Sequence, residues 1–342
     1  MTPAKNKLLC SATLRFKPRR LYFALVLGLL LAGSAYAQTC LTANDMDEAN
    51  RTSLVNTAKR YFDMAARGDS ASLRQNSIAS VASDFSGIES AVKDNQANFA
   101  GAQATPRPPF LLKAEGTAPL ARAEFLCGVF GAQGQTKDSA VFQLSNLPPG
   151  SYGIAILDVS GTKIPYTLAF VLQQQGNDWR LGGFYAKPLQ VAGHDGNWYV
   201  TRAREYKAKG QTHNAWLYFL EARELLAPVP FMSTLATDKL YDESQTAKPS
   251  DLPPSDLSAG GKTFKVTNLF PLAVGNDLDL VVKYQSPDVS NTTQTFQDNM
   301  TVMKGLVAKY PEFREAFGGI VARAVEPSGR DYGSLMAMKD IK

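Results

Sequence analysis

Hydrophobic and polar positions alternate most regularly between Lys163 and Lys187. Tyr166, Leu168, Phe170 and Leu172 fall on one face of a strand. Trp179, Leu181, Gly183 and Tyr185 fall on one face of a returning strand, and Gly176-Asn177-Asp178 forms the tight turn between them. A hairpin this apolar needs further strands and helices to cover it. The residues before it supply both. Leu54, Val55, Ala58, Tyr61, Phe62, Ala65 and Ala66 recur at helical spacing behind a capping box of Asp45 and Glu48. Gly68 closes that helix, and Asp69 or Ser70 opens a short second one. Ile78 to Ala82 reads as a short edge strand. Phe85, Ile88, Val92 and Phe99 line a third long helix, which the Ala-, Pro- and Gly-rich stretch from Gly101 to Pro109 ends.

Four strands then lead into the hairpin: Phe110 to Glu115, Ala121 to Phe130, Ser139 to Leu144 and Tyr152 to Val159. Ala121, Ala123, Phe125, Cys127 and Val129 alternate with Arg122, Glu124 and Leu126, as a half-buried antiparallel strand does. Gly182-Gly183 inside a strand marks a bend. Helices followed by one strongly bent antiparallel sheet predict an α+β cone over residues 44–190. Beyond it, 196–241 reads as helical. Residues 242–261, with Lys248-Pro249, Pro253-Pro254 and Gly260-Gly261, read as a linker. Residues 262–342 read as a small ββαββ domain, whose helix carries Phe296, Met300, Met303, Val307 and Tyr310 on one stripe.

Two stretches carry a resemblance. The run Arg60-Tyr61-Phe62-Asp63-Met64-Ala65-Ala66-Arg67-Gly68-Asp69 and the closing Asp178-Trp179-Arg180-Leu181-Gly182-Gly183-Phe184-Tyr185 resemble the NTF2-like superfamily, which includes SnoaL-type cyclases and ketosteroid isomerases. That fold hosts many unrelated functions, so the resemblance implies an architecture and not an activity. Tyr199, Ala203, Tyr206, Gly210, Ala215, Phe219 and Ala222, between Trp198 and Pro228, resemble one tetratricopeptide (TPR) repeat, with Arg202 where a leucine is usual. An ordinary helical hairpin explains the same spacing. A single such unit cannot bury its own face and must pack on a neighbour.

The first 37 residues differ from the rest. Six basic residues precede an apolar run from Leu21 to Gly33, and Ala35-Tyr36-Ala37 follows. That pattern predicts a secretory signal peptide cleaved after Ala37, since the run is short of the roughly 20 residues a spanning helix needs. No integral membrane segment is expected after cleavage. The whole chain has a formal net charge of +5. Removing six basic and no acidic residues leaves it close to neutral, which excludes a nucleic-acid field. Cys40 and Cys127 then remain as a pair in an oxidising compartment, either bonded to each other or as two separate thiols.

The chain has two histidines. His194 and His213 lack metal-ligand spacing and read as surface residues, and no phosphate loop, nucleophile elbow, zincin or C-x-x-C motif occurs. No cofactor and no metal are expected. The cone can enclose an apolar pocket, with Tyr61, Asp84, Phe170 and Trp179 as candidate lining residues. Three readings follow. The first is an exported, non-catalytic protein of the periplasm or the secreted fraction that holds a small apolar ligand or peptide. The second is an envelope scaffold that docks a protein partner or a second copy. The third is a SnoaL-like isomerase or hydrolase, in which Tyr61 and Asp84 take the roles that the isomerase resemblance implies. The expectation is the broad one, a binding or scaffold protein rather than an enzyme.

Overall fold

The computed structural model describes residues 38–128, 130–131 and 134–342. The expected signal peptide, residues 1–37, lies outside the described residues. Residues 38–342 form one compact unit of mixed α+β structure.

The chain opens with β1 (Gln38–Leu41) and α1 (Glu48–Ala66). The cap of α1 is Asp47, whose carboxylate accepts the Asn50 N–H at 2.8 Å. The expected cap, Asp45, instead closes the preceding turn by accepting the N–H and hydroxyl of Thr42. Gly68 sits at φ +71, the left-handed position just past the helix. Asp69 caps α2 (Ser70–Gln75) through the Ser72 N–H. The expected edge strand at Ile78–Ala82 is a helical turn, α3 (Ala79–Ser83). Only Ser77 makes a β-bridge there, to Leu181. A five-residue apolar stretch does not distinguish strand from helix by periodicity. α4 (Ser86–Phe99) follows and buries Phe85, Val92 and Phe99 with the α1 stripe.

Next come β2 (Gln103–Pro106), β3 (Phe110–Ala114), β4 (Leu120–Cys127), the short β5 (Phe130–Gly131) and β6 (Gly134–Gln135), β7 (Ala140–Leu147), β8 (Gly150–Ser160), β9 (Tyr166–Gln175) and β10 (Asp178–Pro188). They do not form the single bent sheet expected. A six-stranded antiparallel sheet runs β1-β3-β8-β9-β10, with β2 also on β8. β4 and β7 leave it to make a second sheet, β13-β7-β4, with β13 (Met232–Thr234). Alternation records which face a strand buries, and pairing partners leave no such mark.

The six-stranded sheet is therefore covered on both sides. Tyr166, Leu168, Phe170 and Leu172 face α1 and α4, while Ala169, Ile154 and Ile156 face the second sheet. In β10 the register slips between Leu181 and Gly183, so Gly182 is a bulge. That slip corrects the expected face. Trp179 and Leu181 point to the helices as expected, but beyond the bulge Phe184 takes that side. Tyr185 turns outward, 37% exposed, with its ring edge against Phe231. A disulfide between Cys40 on β1 and Cys127 on β4 ties the two sheets together.

After β11 (Gln190–Val191) and β12 (His194–Asp195) come α5 (Gly196–Ala208), α6 (Thr212–Leu226) and α7 (Leu235–Gln245). Tyr199, Ala203, Tyr206, Ala215, Phe219 and Ala222 are all buried. They pack in one core with the last sheet, β14-β15-β16-β17-β18. Its strands are β14 (Ser255–Ala259), β15 (Lys262–Val274), β16 (Asp277–Gln285), β17 (Gly319–Val325) and β18 (Asp331–Ala337). Only β16 and β17 are parallel, joined through α8 (Thr292–Lys309) and α9 (Phe313–Ala316). This sheet has one strand more than the ββαββ reading.

The extra strand, β14, lies inside the expected linker, which is thus ordered structure. An edge strand with a single inward leucine, Leu257, carries little apolar signal. Of the expected α8 stripe, Met303, Val307 and Tyr310 are buried, but Phe296 is 42% exposed and the buried face takes in Asn299, Val302 and Leu306 instead. Among the described residues, no helix is long and apolar enough to cross a membrane.

Candidate functional site

Of the residues expected to line a pocket, three lie in the packed core. Tyr61, Phe170 and Trp179 are buried in the cluster between α1, α4 and the six-stranded sheet, with the Tyr61 and Phe170 rings 5.9 Å apart edge to face. The Tyr61 hydroxyl donates to the Trp179 carbonyl at 2.9 Å, with the Asn76 carbonyl at 3.2 Å, and burial raises its pKa. Asp84 is brought nowhere near them as a partner. It is exposed, and its carboxylate accepts only the Ser86 hydroxyl at 3.4 Å. Among the described residues, no group of three or more His, Cys, Asp or Glu side chains could hold a metal ion.

His213 departs from the surface expectation. Its Nε2 lies 2.7 Å from Asp251 Oδ1 and its Nδ1 3.4 Å from Glu312, with its ring against Tyr310. The Tyr310 hydroxyl donates to the other Asp251 oxygen at 2.6 Å. Burial pushes the Asp251 carboxyl up, but the bonds from Tyr310 and His213 outweigh it and hold the group below its ordinary range. These contacts pin the segment before β14 onto α6 and α8. They leave only about 10 Å³ of free space beside it, room for no ligand.

The open cleft lies on the other side of α1. Its volume is about 1110 Å³, at the upper end of ligand sites. Helical spacing puts Arg51, Val55 and Lys59 on the cleft side of α1, while Leu54, Ala58 and Tyr61 turn inward. The second wall is Pro106-Arg107-Pro108-Pro109, from the stretch that the sequence marked only as a helix breaker, with Phe110 at the start of β3. The Arg107 N–H donates to the Ile156 carbonyl at 2.8 Å, and its guanidinium forks onto Asp158 at 2.6–3.0 Å, which fixes that wall to β8. The start of β7 and Met232 and Thr234 of β13 close the far end.

The floor is apolar, with Val55, Phe110, Ile156 and Met232. Three cations on the rim, Arg51, Lys59 and Lys137, face two carboxylates, Asp45 and Asp138. Hydrogen bonds from the Thr42 hydroxyl and N–H keep Asp45 well ionised, below the usual carboxylate range. Lys59 and Lys137 are exposed and make no ion pair among the described residues. The arrangement offers an apolar floor under a rim of mixed charge with more cations than carboxylates. No protein-family model matches the chain, and no curated protein or solved structure does so either.

Proposed function

We propose that this chain is an exported, non-catalytic binding protein, and that the cleft beside α1 takes an extended, partly apolar ligand such as a short peptide. The observation that carries the reading is the cleft itself. It combines an apolar floor with two unpaired lysines at its rim in a volume that matches ligand sites. The Cys40–Cys127 disulfide supports an oxidising, extracytoplasmic location, in agreement with the leader pattern.

The NTF2-like relationship is part of the same proposal. Helices on one face of a bulged antiparallel sheet support it. The TPR-like relationship rests on seven matching positions, Gly210 in the turn and six on α5 and α6 whose side chains pack in one core with the last sheet. The enzymatic alternative loses its anchor, because Asp84 is exposed and Tyr61 is bonded to backbone carbonyls.

The test is native mass spectrometry of the chain exported to a bacterial periplasm, beside the variant Val55→Arg. Val55 is half-buried on the cleft floor, so an arginine there fills the cleft without entering the core. A retained adduct on the wild type that disappears in the variant is the expected result. Bare wild-type protein, or an adduct that Val55→Arg leaves in place, defeats the proposal.

A further inference from the structure

A second cavity, of about 320 Å³, lies where α6 and α7 meet β13 and β15. Its walls include Leu220, Met232 and Phe270, and its polar lining is Glu221, Glu224, Thr237 and Arg223. Glu221 is only 7% exposed. It sits in the buried stripe of α6 between Leu217 and Leu225, where an apolar side chain is the ordinary occupant.

Nothing in the described structure donates a hydrogen bond to the Glu221 carboxylate. The lysine whose charge bears on Glu221 is already engaged, because the three N–H donors of Lys187 point at the carbonyls of Glu224, Leu225 and Ala227. The Tyr199 hydroxyl donates to the Val191 carbonyl and the Thr237 hydroxyl to the Thr234 carbonyl. Arg223 lies over the Tyr241 ring, and Lys283 over the Phe270 ring. The side chain is buried, its carboxylate reaches the free space of the cavity, and the described protein gives it no donor there.

We propose that this cavity binds a primary ammonium group carried on a short aliphatic arm, with Glu221 as its anchor and Glu224 as a second acceptor. The ammonium supplies the donors that Glu221 lacks, and the arm lies along Leu220, Met232 and Phe270. Two carboxylates alone make a poor metal cage, and the cavity is far larger than an ion. The site shares Met232 with the cleft beside α1 but does not rest on the cleft reading.

Protonation sets the affinity. Burial, then the neighbouring Glu224, raise the Glu221 carboxyl to about 7, with Lys187 opposing. Only its ionised form pairs with an ammonium. Affinity therefore falls about tenfold between pH 8 and pH 6, as the ionised fraction does.

The experiment follows the ¹³C-methyl resonance of Met232, assigned with Met232→Leu, in the exported chain titrated with n-butylammonium or with n-butanol. The expected result is saturable movement with butylammonium at pH 8, a Kd about ten times higher at pH 6, and little response to butanol. Glu221→Gln should weaken binding at least tenfold while the rest of the methyl spectrum stays native. Equal binding of butanol, a pH-independent Kd in the wild type, or no movement with either probe overturns the proposal, and the wild-type pH series decides it even if the variant misfolds. Nα-acetyl-lysine amide as a third probe names the source. Tighter binding than butylammonium assigns the site to a lysine side chain of a bound chain, and weaker binding assigns it to a free amine.

Discussion

Glu221→Gln should make the protein more stable at pH 8 and leave it nearly unchanged at pH 4. In the folded chain the carboxyl titrates at about 7 in place of its ordinary 4.5, chiefly because burial penalises the charged form. At about 1.4 kcal/mol per unit of displacement, keeping Glu221 ionised costs the fold about 3 kcal/mol. The sign follows from proton counting. Between pH 4.5 and 7 the folded state holds a proton that the unfolded state has released, so wild-type stability falls as pH rises through that window and levels off above it. Glutamine is neutral throughout and removes the penalty where it exists. Urea unfolding with the disulfide intact, run on both proteins at pH 4, 6 and 8, reads the difference directly. A gain of about 3 kcal/mol at pH 8 that shrinks to near zero at pH 4 is expected. A difference of the same size at every pH would refute the reasoning, because it would come from packing and not from charge.

Replacing both Cys40 and Cys127 by serine frees a loop whose ends are 87 residues apart. The chain-entropy model puts the loss at about 4–5 kcal/mol. Thermal unfolding should show a much lower Tm in the variant, and an unchanged Tm would mean that the two sheets hold each other without the bond. Gly153→Ala drives a methyl group into the Leu54 Cδ2 methyl in the helix-side core. It should cost about 1–3 kcal/mol. Adding Leu54→Ala should recover part of that loss, and strict additivity of the two changes would disprove the contact. Tyr310→Phe removes the hydroxyl that donates to Asp251. A loss of about 1 kcal/mol is expected, with faster amide exchange confined to the segment before β14. Uniform exchange across α6 and α8 would show that the segment is not pinned locally.

The strongest patterns in the sequence were local ones. The turn at Gly176, the inward row Tyr166 to Leu172 and the α1 stripe follow from one period each, and the structure has them there except Val55, which turns to the cleft. What failed was pairing. β4 alternates cleanly, but alternation cannot say that it leaves the main sheet for β7, and the three residues of β13 are too few to read as a strand. The bulge at Gly182 was legible as a bend, yet one slipped residue was enough to exchange Tyr185 for Phe184 on the inner face. The cleft was hidden for a different reason. Its walls come from α1, from a Pro-rich connection and from β13, so no contiguous motif spells it. Glu221 did leave a signal, a carboxylate spaced four residues from both Leu217 and Leu225, which an amphipathic pattern does not ordinarily tolerate.

β13 connects the two halves of this architecture. Met232 and Thr234 pair with β7 and close the cleft, while Thr234 also caps α7 through a reciprocal bond with Thr237. Met232 and Thr237 in turn line the Glu221 cavity. One buried methionine is therefore a wall of both sites, and a ligand that repositions it in one site must alter the other. Linkage makes any such effect reciprocal. Met232→Ala should lose about 2–4 kcal/mol of stability through the cavity it leaves. Met232→Leu keeps the volume and should cost less than about 1.5 kcal/mol. The informative measurement is the butylammonium titration on wild-type chain with the cleft open and on the Val55→Arg chain with the cleft filled. A changed Kd shows that β13 transmits occupancy between the sites. An identical Kd shows that Met232 is a rigid partition, held by its three ladder residues and by the Phe142 and Phe231 rings beside it.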